Sequence, residues 1–209
     1  RTAAGGGWHV GIEWNGSKFL CVTDSIPFET STNGLAWTSQ TAPSYGFFCK
    51  PAWNGTLWIV VEQFGANRFW TSTSGTAGSW TVRCTPSIGN NWLCVACMES
   101  GLSCVVSSNG SGVYVSADGI TWAHNTGLVV NANGIATDGV VFLVTGNENK
   151  FYTSLDGVTW TTRNMPAIGQ WHSPCWNGAV FSVMRSGSNL PVTIPRSYLS
   201  AIDVSLGNV

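Results

Sequence analysis

The phrase Trp-Asn-Gly occurs three times in this 209-residue chain, at Trp14-Asn15-Gly16, Trp53-Asn54-Gly55 and Trp176-Asn177-Gly178. Thr137-Asp138-Gly139 and Met98-Glu99-Ser100 fall into the same register, so the phrase starts at 14, 53, 98, 137 and 176. The spacings are 39, 45, 39 and 39 residues. A second phrase follows each one: Ser31 to Trp37, Ser72 to Trp80, Ser116 to Trp122, Ser154 to Trp160, and a degraded Ser200 to Leu206. Two landmarks recurring five times in the same order define an internal repeat. A repeat of this period constrains the architecture before any local structure is considered.

Each repeat reads as four short strands. In the fourth these are Val129 to Asp138, Val141 to Gly146, Lys150 to Leu155 and Thr159 to Arg163, with Asp138-Gly139 and Asp156-Gly157 as tight-turn dipeptides. Five residues after each first landmark lies Phe19, Trp58, Ser103, Phe142 or Phe181. Two residues before each repeated Ser lies Glu29, Trp70, Tyr114, Tyr152 or Tyr198. Large side chains at fixed places suit packing between sheets. A four-stranded unit cannot cover both its faces alone, so the repeat predicts an all-β, five-bladed β-propeller with four-stranded antiparallel blades. One domain spans 1–209, with blades at about 8–44, 45–87, 88–128, 129–168 and 169–209.

Composition narrows the function classes. Charged residues make up 9% of the chain and the net charge is -1, which argues against nucleic acid as a partner. The longest apolar runs, such as Leu57 to Val61, are far short of the ~20 residues that span a bilayer. No basic start followed by an apolar stretch marks a secretory signal. The first residue is Arg1 rather than Met, as expected of a processed product or a piece of a longer polypeptide. Seven cysteines cannot all pair within one chain. Cys94 and Cys97 have metal-pair spacing, but three residues apart on a strand they point to opposite faces. Buried free thiols are the expectation, with no metal and no cofactor.

Ser116-Ala-Asp118-Gly119-Ile-Thr-Trp122 and Ser154-Leu-Asp156-Gly157-Val-Thr-Trp160 resemble the Asp-box of sialidase-like and BNR-repeat propellers. The resemblance implies that the Ser and Asp side chains hold the hairpin between third and fourth strands, with the Trp packed beneath. The chain departs from that family by one fewer residue between Ser and Trp, by Asn33 and Ser74 in the first two repeats, and by the missing Trp in the fifth. The Trp-Asn-Gly and Asp-Gly-x-Thr-Trp phrases are also similar to those of bacteriophage structural and tail-associated propellers.

Catalysis is not expected. Arg68, Arg83, Arg163, Arg185 and Arg196 fall at different places in the repeat and do not converge as a sialidase site requires. Asp118, Asp138 and Asp156 are turn residues. Glu13 could face a central channel but has no evident carboxylate partner, and no nucleophile elbow or phosphate loop accompanies His9, His124 or His172. Binding is the better reading. The loops expected at one face hold Tyr45, Phe47, Asn90, Asn91, Trp92, Asn131, Asn133, Gln170, Trp171 and His172, and Trp8 has the register of Phe47 and Trp92. Aromatics mixed with amides suit a sugar, whose C–H face stacks on rings while its hydroxyls meet Asn and Gln. The competing reading is that these aromatics plug the ring. Ser186 to Arg196, with Pro191 and Pro195, reads as a long stiffened loop, either a partner contact or a tolerated insertion. The expected role is a virion- or surface-associated module, assembled in the cytoplasm, that binds a host glycan or receptor. The alternatives are an architectural subunit contacting virion neighbours and, third, a glycoside hydrolase.

Overall fold

A computed structural model describes residues 8–24, 27–64, 66–86, 92–165, 168–188 and 191–200. The fold is an all-β propeller of five consecutive antiparallel blades. The first blade is β1 (His9–Trp14), β2 (Phe19–Thr23), β3 (Phe28–Ser31) and β4 (Thr38–Gln40), hydrogen-bonded in chain order. In the second, the innermost strand is split into β5 (Phe47–Phe48) and β6 (Ala52–Trp53), both pairing with β7 (Trp58–Phe64). β8 (Phe69–Ser72) and β9 (Thr81–Cys84) follow outward. The third holds β10 (Trp92–Cys97), β11 (Ser103–Ser107), β12 (Val113–Ser116) and β13 (Ala123–Asn125). The fourth holds β14 (Ala132–Thr137), β15 (Phe142–Gly146), β16 (Lys150–Ser154) and β17 (Thr161–Asn164). The described part of the fifth is β18 (Trp171–Trp176), β19 (Val180–Arg185) and β20 (Val192–Pro195), followed by the short helix α1 (Arg196–Ser200).

Both repeated phrases are turns held by a side chain. In Trp14-Asn15-Gly16 the Asn15 Oδ1 accepts from the N–H groups of Ser17 (3.0 Å) and Lys18 (2.7 Å). Asn54, Asp138 and Asn177 cap the equivalent turns. At the other phrase, Ser116 Oγ accepts from Gly119 N–H (2.8 Å), and Asp118 Oδ1 accepts from Ile120 (2.7 Å) and Thr121 (2.9 Å). Trp122 Nε1 donates to Gly119 O at 3.1 Å. Ser154, Asp156, Gly157 and Trp160 repeat this arrangement, and Ser31, Asn33, Gly34 and Trp37 build it with an amide.

Those N–H donors favour the ionised carboxylate. Thr121 and Ile120 hold the Asp118 carboxyl below its ordinary range. At Asp156 burial pushes upward, but the N–H groups of Thr159 and Val158 outweigh it and the net direction is also down. A depressed folded value means the stabilisation is present above the unfolded carboxylate range, near ~3.9, and lost as pH falls through the folded value. Asn33 shows that an amide keeps the turn without the charge. Asp118→Asn should therefore lose less melting temperature than the native chain between about pH 5 and about pH 3. Thermal melts across that range test it, and equal acid losses would contradict it.

Alternation along each strand sends one set of side chains to each neighbouring blade. Leu20, Val22 and Phe28 of the first blade meet Phe48, Trp58, Val60 and Trp70 of the second. Ile59, Val61 and Phe69 meet Trp92, Val105 and Tyr114. Cys104, Val106 and Val113 meet Ala132, Phe142 and Val144. Leu143 and Phe151 meet Trp171, Phe181 and Val183. Glycine lets the inner strands approach: a Cβ on Gly11 would lie 2.5 Å from Lys50 Cγ, and one on Gly134 2.5 Å from Pro174 Cδ. Among the described residues, no strand pair joins the fifth blade to the first with comparable packing. Val10, Ile12 and Trp14 of β1 are correspondingly exposed.

Three expectations are corrected here. The third repeat is displaced by one residue, because Cys97, not Met98, pairs opposite Ser103 as Trp14 pairs opposite Phe19. In the fifth repeat the third strand is β20, with Val183 opposite Val192, so Tyr198 and Ser200, expected at the third strand, lie in α1, which Arg196 opens. The expected long loop from Ser186 to Arg196 therefore contains β20: Pro191 precedes it and Pro195 closes it, so no ladder N–H is lost from its interior. Residues 201–209, with the rest of the degraded phrase, lie outside the described residues.

Candidate ligand-binding face

The inner strands begin at the same end of the blades where second strands turn into third strands. Trp8 and Phe47 stand at equivalent places just before or at the start of the first two inner strands. Trp8 is 82% exposed, Tyr45 86% and Phe47 52%. Asp24 fixes the backbone at Trp8: its Oδ1 accepts from Trp8 N–H (2.8 Å), and its own N–H donates to Trp8 O (2.9 Å). Trp8 and Tyr45 present their rings to solvent, and Phe47 is half exposed beside them.

The structure separates them from the other two tryptophans proposed for this face. Trp92 is 0% exposed and Trp171 2%. Trp92 lies opposite Ser107 and Trp171 opposite Arg185, the position that Phe48 and Ala132 hold in their own blades. The residue in register with Trp92 is thus His9, and Trp8 shares its register with Asn91. Trp92 sits edge-on to Phe69 (5.9 Å) and Tyr114 (4.9 Å), between the second and third blades. Neither tryptophan can stack on a ligand, and both belong to the inter-blade core. Asn90 and Asn91 lie outside the described residues.

Amides share the exposed end. Gln170 and Asn131 are exposed, and Asn133 Nδ2 donates to Asn147 Oδ1 at 2.6 Å. His172 Nε2 meets Ser186 Oγ at 3.1 Å at the mouth of the fifth blade. Tyr152 OH donates to Glu148 Oε2 at 3.3 Å, and burial followed by that carboxylate raises its phenol. The face is aromatic at its first two blades and amide-rich at the fourth and fifth.

Four of the described carboxylates have a basic partner within 3.5 Å. Glu13 pairs with Lys50 (3.2 Å), Glu62 with Arg68 (2.9 Å), Asp138 with Arg196 (3.1 Å) and Glu29 with His9 (3.5 Å). Arg83 and Arg163 each donate to a threonine of the neighbouring strand, Thr71 and Thr153. Arg163 and Arg196 line one cavity, while Arg68 pairs with Glu62 in the second blade. A cavity of about 490 Å³ lies near the opposite end, lined by Ser154, Asp156, Arg163, Arg196 and Leu199 among others. The seven cysteines are unpaired, with Cys94 against the third–fourth core and Cys97 against the second–third. Burial raises the Cys94 thiol to about 11 and the Cys97 thiol to about 12, so both are protonated at neutral pH. Beside Glu29, burial and then that carboxylate raise the Cys21 thiol to about 11.

No protein-family model and no curated protein matches the chain. Solved structures match by shape. YCF48 bound to D1 peptide is 12% identical with a TM-score of 0.65, covering 90% of this chain and 69% of its own. A nidogen/laminin complex is 11% identical with a TM-score of 0.70, covering 90% and 75%. The Niastella koreensis GH74 enzyme is 20% identical with a TM-score of 0.63, covering 88% and 29%. The neighbours include an enzyme and proteins held with protein partners, and what they share with this chain is the β-propeller fold.

Proposed function

We propose that this propeller is a non-catalytic binding module whose ligand is a glycan, held on the face formed by Trp8, Tyr45 and Phe47. The observation that carries the reading is the exposure of those three aromatics at one end of the first two blades, in a chain that buries Trp58, Trp92 and Trp171. Exposed rings beside Asn and Gln side chains, with few charges, match an uncharged ligand that has C–H faces and hydroxyls. Absence of turnover is supported by the pairing of Glu13 with Lys50 and of Glu62 with Arg68, which leaves neither as a free acid facing a second carboxylate. The likeness of the repeated phrases to bacteriophage structural propellers supports a place on a virion or another surface, with an architectural subunit as the alternative there. A second reading, a protein segment as ligand, is favoured by the neighbours seen in complex with a D1 peptide and with laminin.

Tryptophan fluorescence during titration with soluble oligosaccharides tests the reading. Trp8 is the expected reporter, so binding should change its emission, and Trp8→Phe should abolish that change while melting stays within about 0.5 kcal/mol of the native chain. A saturable change that survives Trp8→Phe would move the site away from this face. Saturation by peptides alone would select the second reading.

A further inference from the structure

The first blade breaks its own repeat at three adjacent places. His9 stands opposite Thr23 in the inner strand, where the other blades carry Phe48, Trp92, Ala132 and Trp171. Cys21 stands in the second strand, where all four others carry valine: Val60, Val105, Val144 and Val183. Glu29 pairs opposite Cys21, where the others carry Trp70, Tyr114, Tyr152 and Val192. In each other blade this trio packs against the preceding blade. In the first blade all three positions are occupied by metal-ligating side chains, in a chain with only 3 His, 7 Cys and 10 acidic residues.

Their donor atoms converge. One ring nitrogen of His9, Cys21 Sγ and a carboxylate oxygen of Glu29 all lie within 4.8 Å of one another, and His9 Nε2 is 3.5 Å from Glu29 Oε2. With zinc bonds of about 2.0–2.1 Å to N or O and about 2.3 Å to S, ligand atoms around a tetrahedral ion stand about 3.3–3.7 Å apart. We propose that His9, Cys21 and Glu29 form a site for a zinc-class divalent ion on the face of the first blade that in the other blades packs against the preceding one.

The surroundings suit that assignment. Glu29 is 4% exposed and Cys21 is buried, so two ligands sit on rigid strands, while the half-exposed His9 ring leaves a route from solvent. The Trp8–Asp24 hydrogen bonds fix the backbone immediately before His9. Three protein donors leave a fourth tetrahedral position for water or an incoming ligand atom. A thiol among the donors selects zinc over calcium or magnesium, which prefer oxygen alone. On binding, the Cys21 S–H bond breaks, the proton passes to solvent and the sulfur pair forms the metal–sulfur bond.

The test uses the full chain, stripped with a chelator and titrated with Zn²⁺ against a chromophoric competitor. One equivalent should bind at micromolar concentration or below, and Co²⁺ in its place should give the near-ultraviolet thiolate charge-transfer band. Cys21→Val, His9→Phe and Glu29→Tyr install residues that other blades carry at those places. Each should weaken binding by more than about 100-fold, beyond the loss from removing an outer-shell partner. Cys21→Ser gives the same reading should the valine variant fail to fold, and Cys175→Ser, at an exposed thiol, should bind as the native chain does. Absence of one-to-one Zn²⁺ binding, or binding that survives Cys21→Val or Cys21→Ser, would overturn the proposal and leave a His9–Glu29 contact beside a thiol.

Discussion

Trp92→Ala is expected to destabilise the fold by about 3–5 kcal/mol, the scale for deleting a fully buried aromatic. The indole fills the space between the second and third blades against Phe69 and Tyr114, and His124 stacks on Tyr114 at 4.8 Å behind it. Truncation therefore removes apolar burial and leaves a cavity that strands from two blades cannot easily close. Trp171→Ala should behave alike, since it fills the corresponding place between the fourth and fifth blades. Trp92→Phe offers an internal control. The Trp92 Nε1 atom is buried without a hydrogen-bond partner among the described residues, so phenylalanine removes an unsatisfied donor while keeping most of the volume. That variant should lose less than about 1.5 kcal/mol. Denaturant unfolding measures all three, and a small loss in Trp92→Ala would mean that the ring is not in the core.

Arg68→Met should cost about 3 kcal/mol through a different cause. Glu62 is 1% exposed, and Arg68 answers its charge with two hydrogen bonds, Nε to Oε2 at 2.9 Å and Nη2 to Oε1 at 3.3 Å. The guanidinium also lies 4.8 Å over the Trp70 ring, whose Nε1 donates to the same carboxylate at 3.5 Å. Removing the arginine leaves a carboxylate in a site that excludes water, and breaking a buried pair is costlier than never having one. The double variant Arg68→Met with Glu62→Gln should recover most of the loss, because the uncompensated charge is gone. Equal losses in the single and double variants would show that packing, not charge, sets the cost.

How far the sequence reaches is clear from particular residues. Asn15, Asn54, Asp138 and Asn177 announce their turns, since each side chain caps its own backbone within three residues, and so do Asp118 and Asp156. That local chemistry placed the first hairpin of four of the five blades. The loop after β10 carries one residue more than its counterparts, and a one-residue slip reverses which face a side chain takes. Reading Met98 as the landmark therefore matched exposed Trp8 to buried Trp92 and carried Trp92 onto the ligand face. In the fifth blade Val192-Thr193-Ile194 is a strand in composition, but the flanking prolines and the attraction of Ser200 as a repeat match hid it. The aromatics that remain exposed, Trp8, Tyr45 and Phe47, were legible as candidates. Their separation from Trp92 and Trp171 needed strand register. His9, Cys21 and Glu29 had no local motif to reveal them, because they meet only across three strands.

The most direct test of the binding account is a glycan array probed with the folded native chain and with the Trp8→Ala/Tyr45→Ala double variant. The account predicts a reproducible glycan signal from the native chain that the double variant loses while melting at the same temperature. A blank array with folded native protein, or an undiminished signal from the double variant, would contradict it.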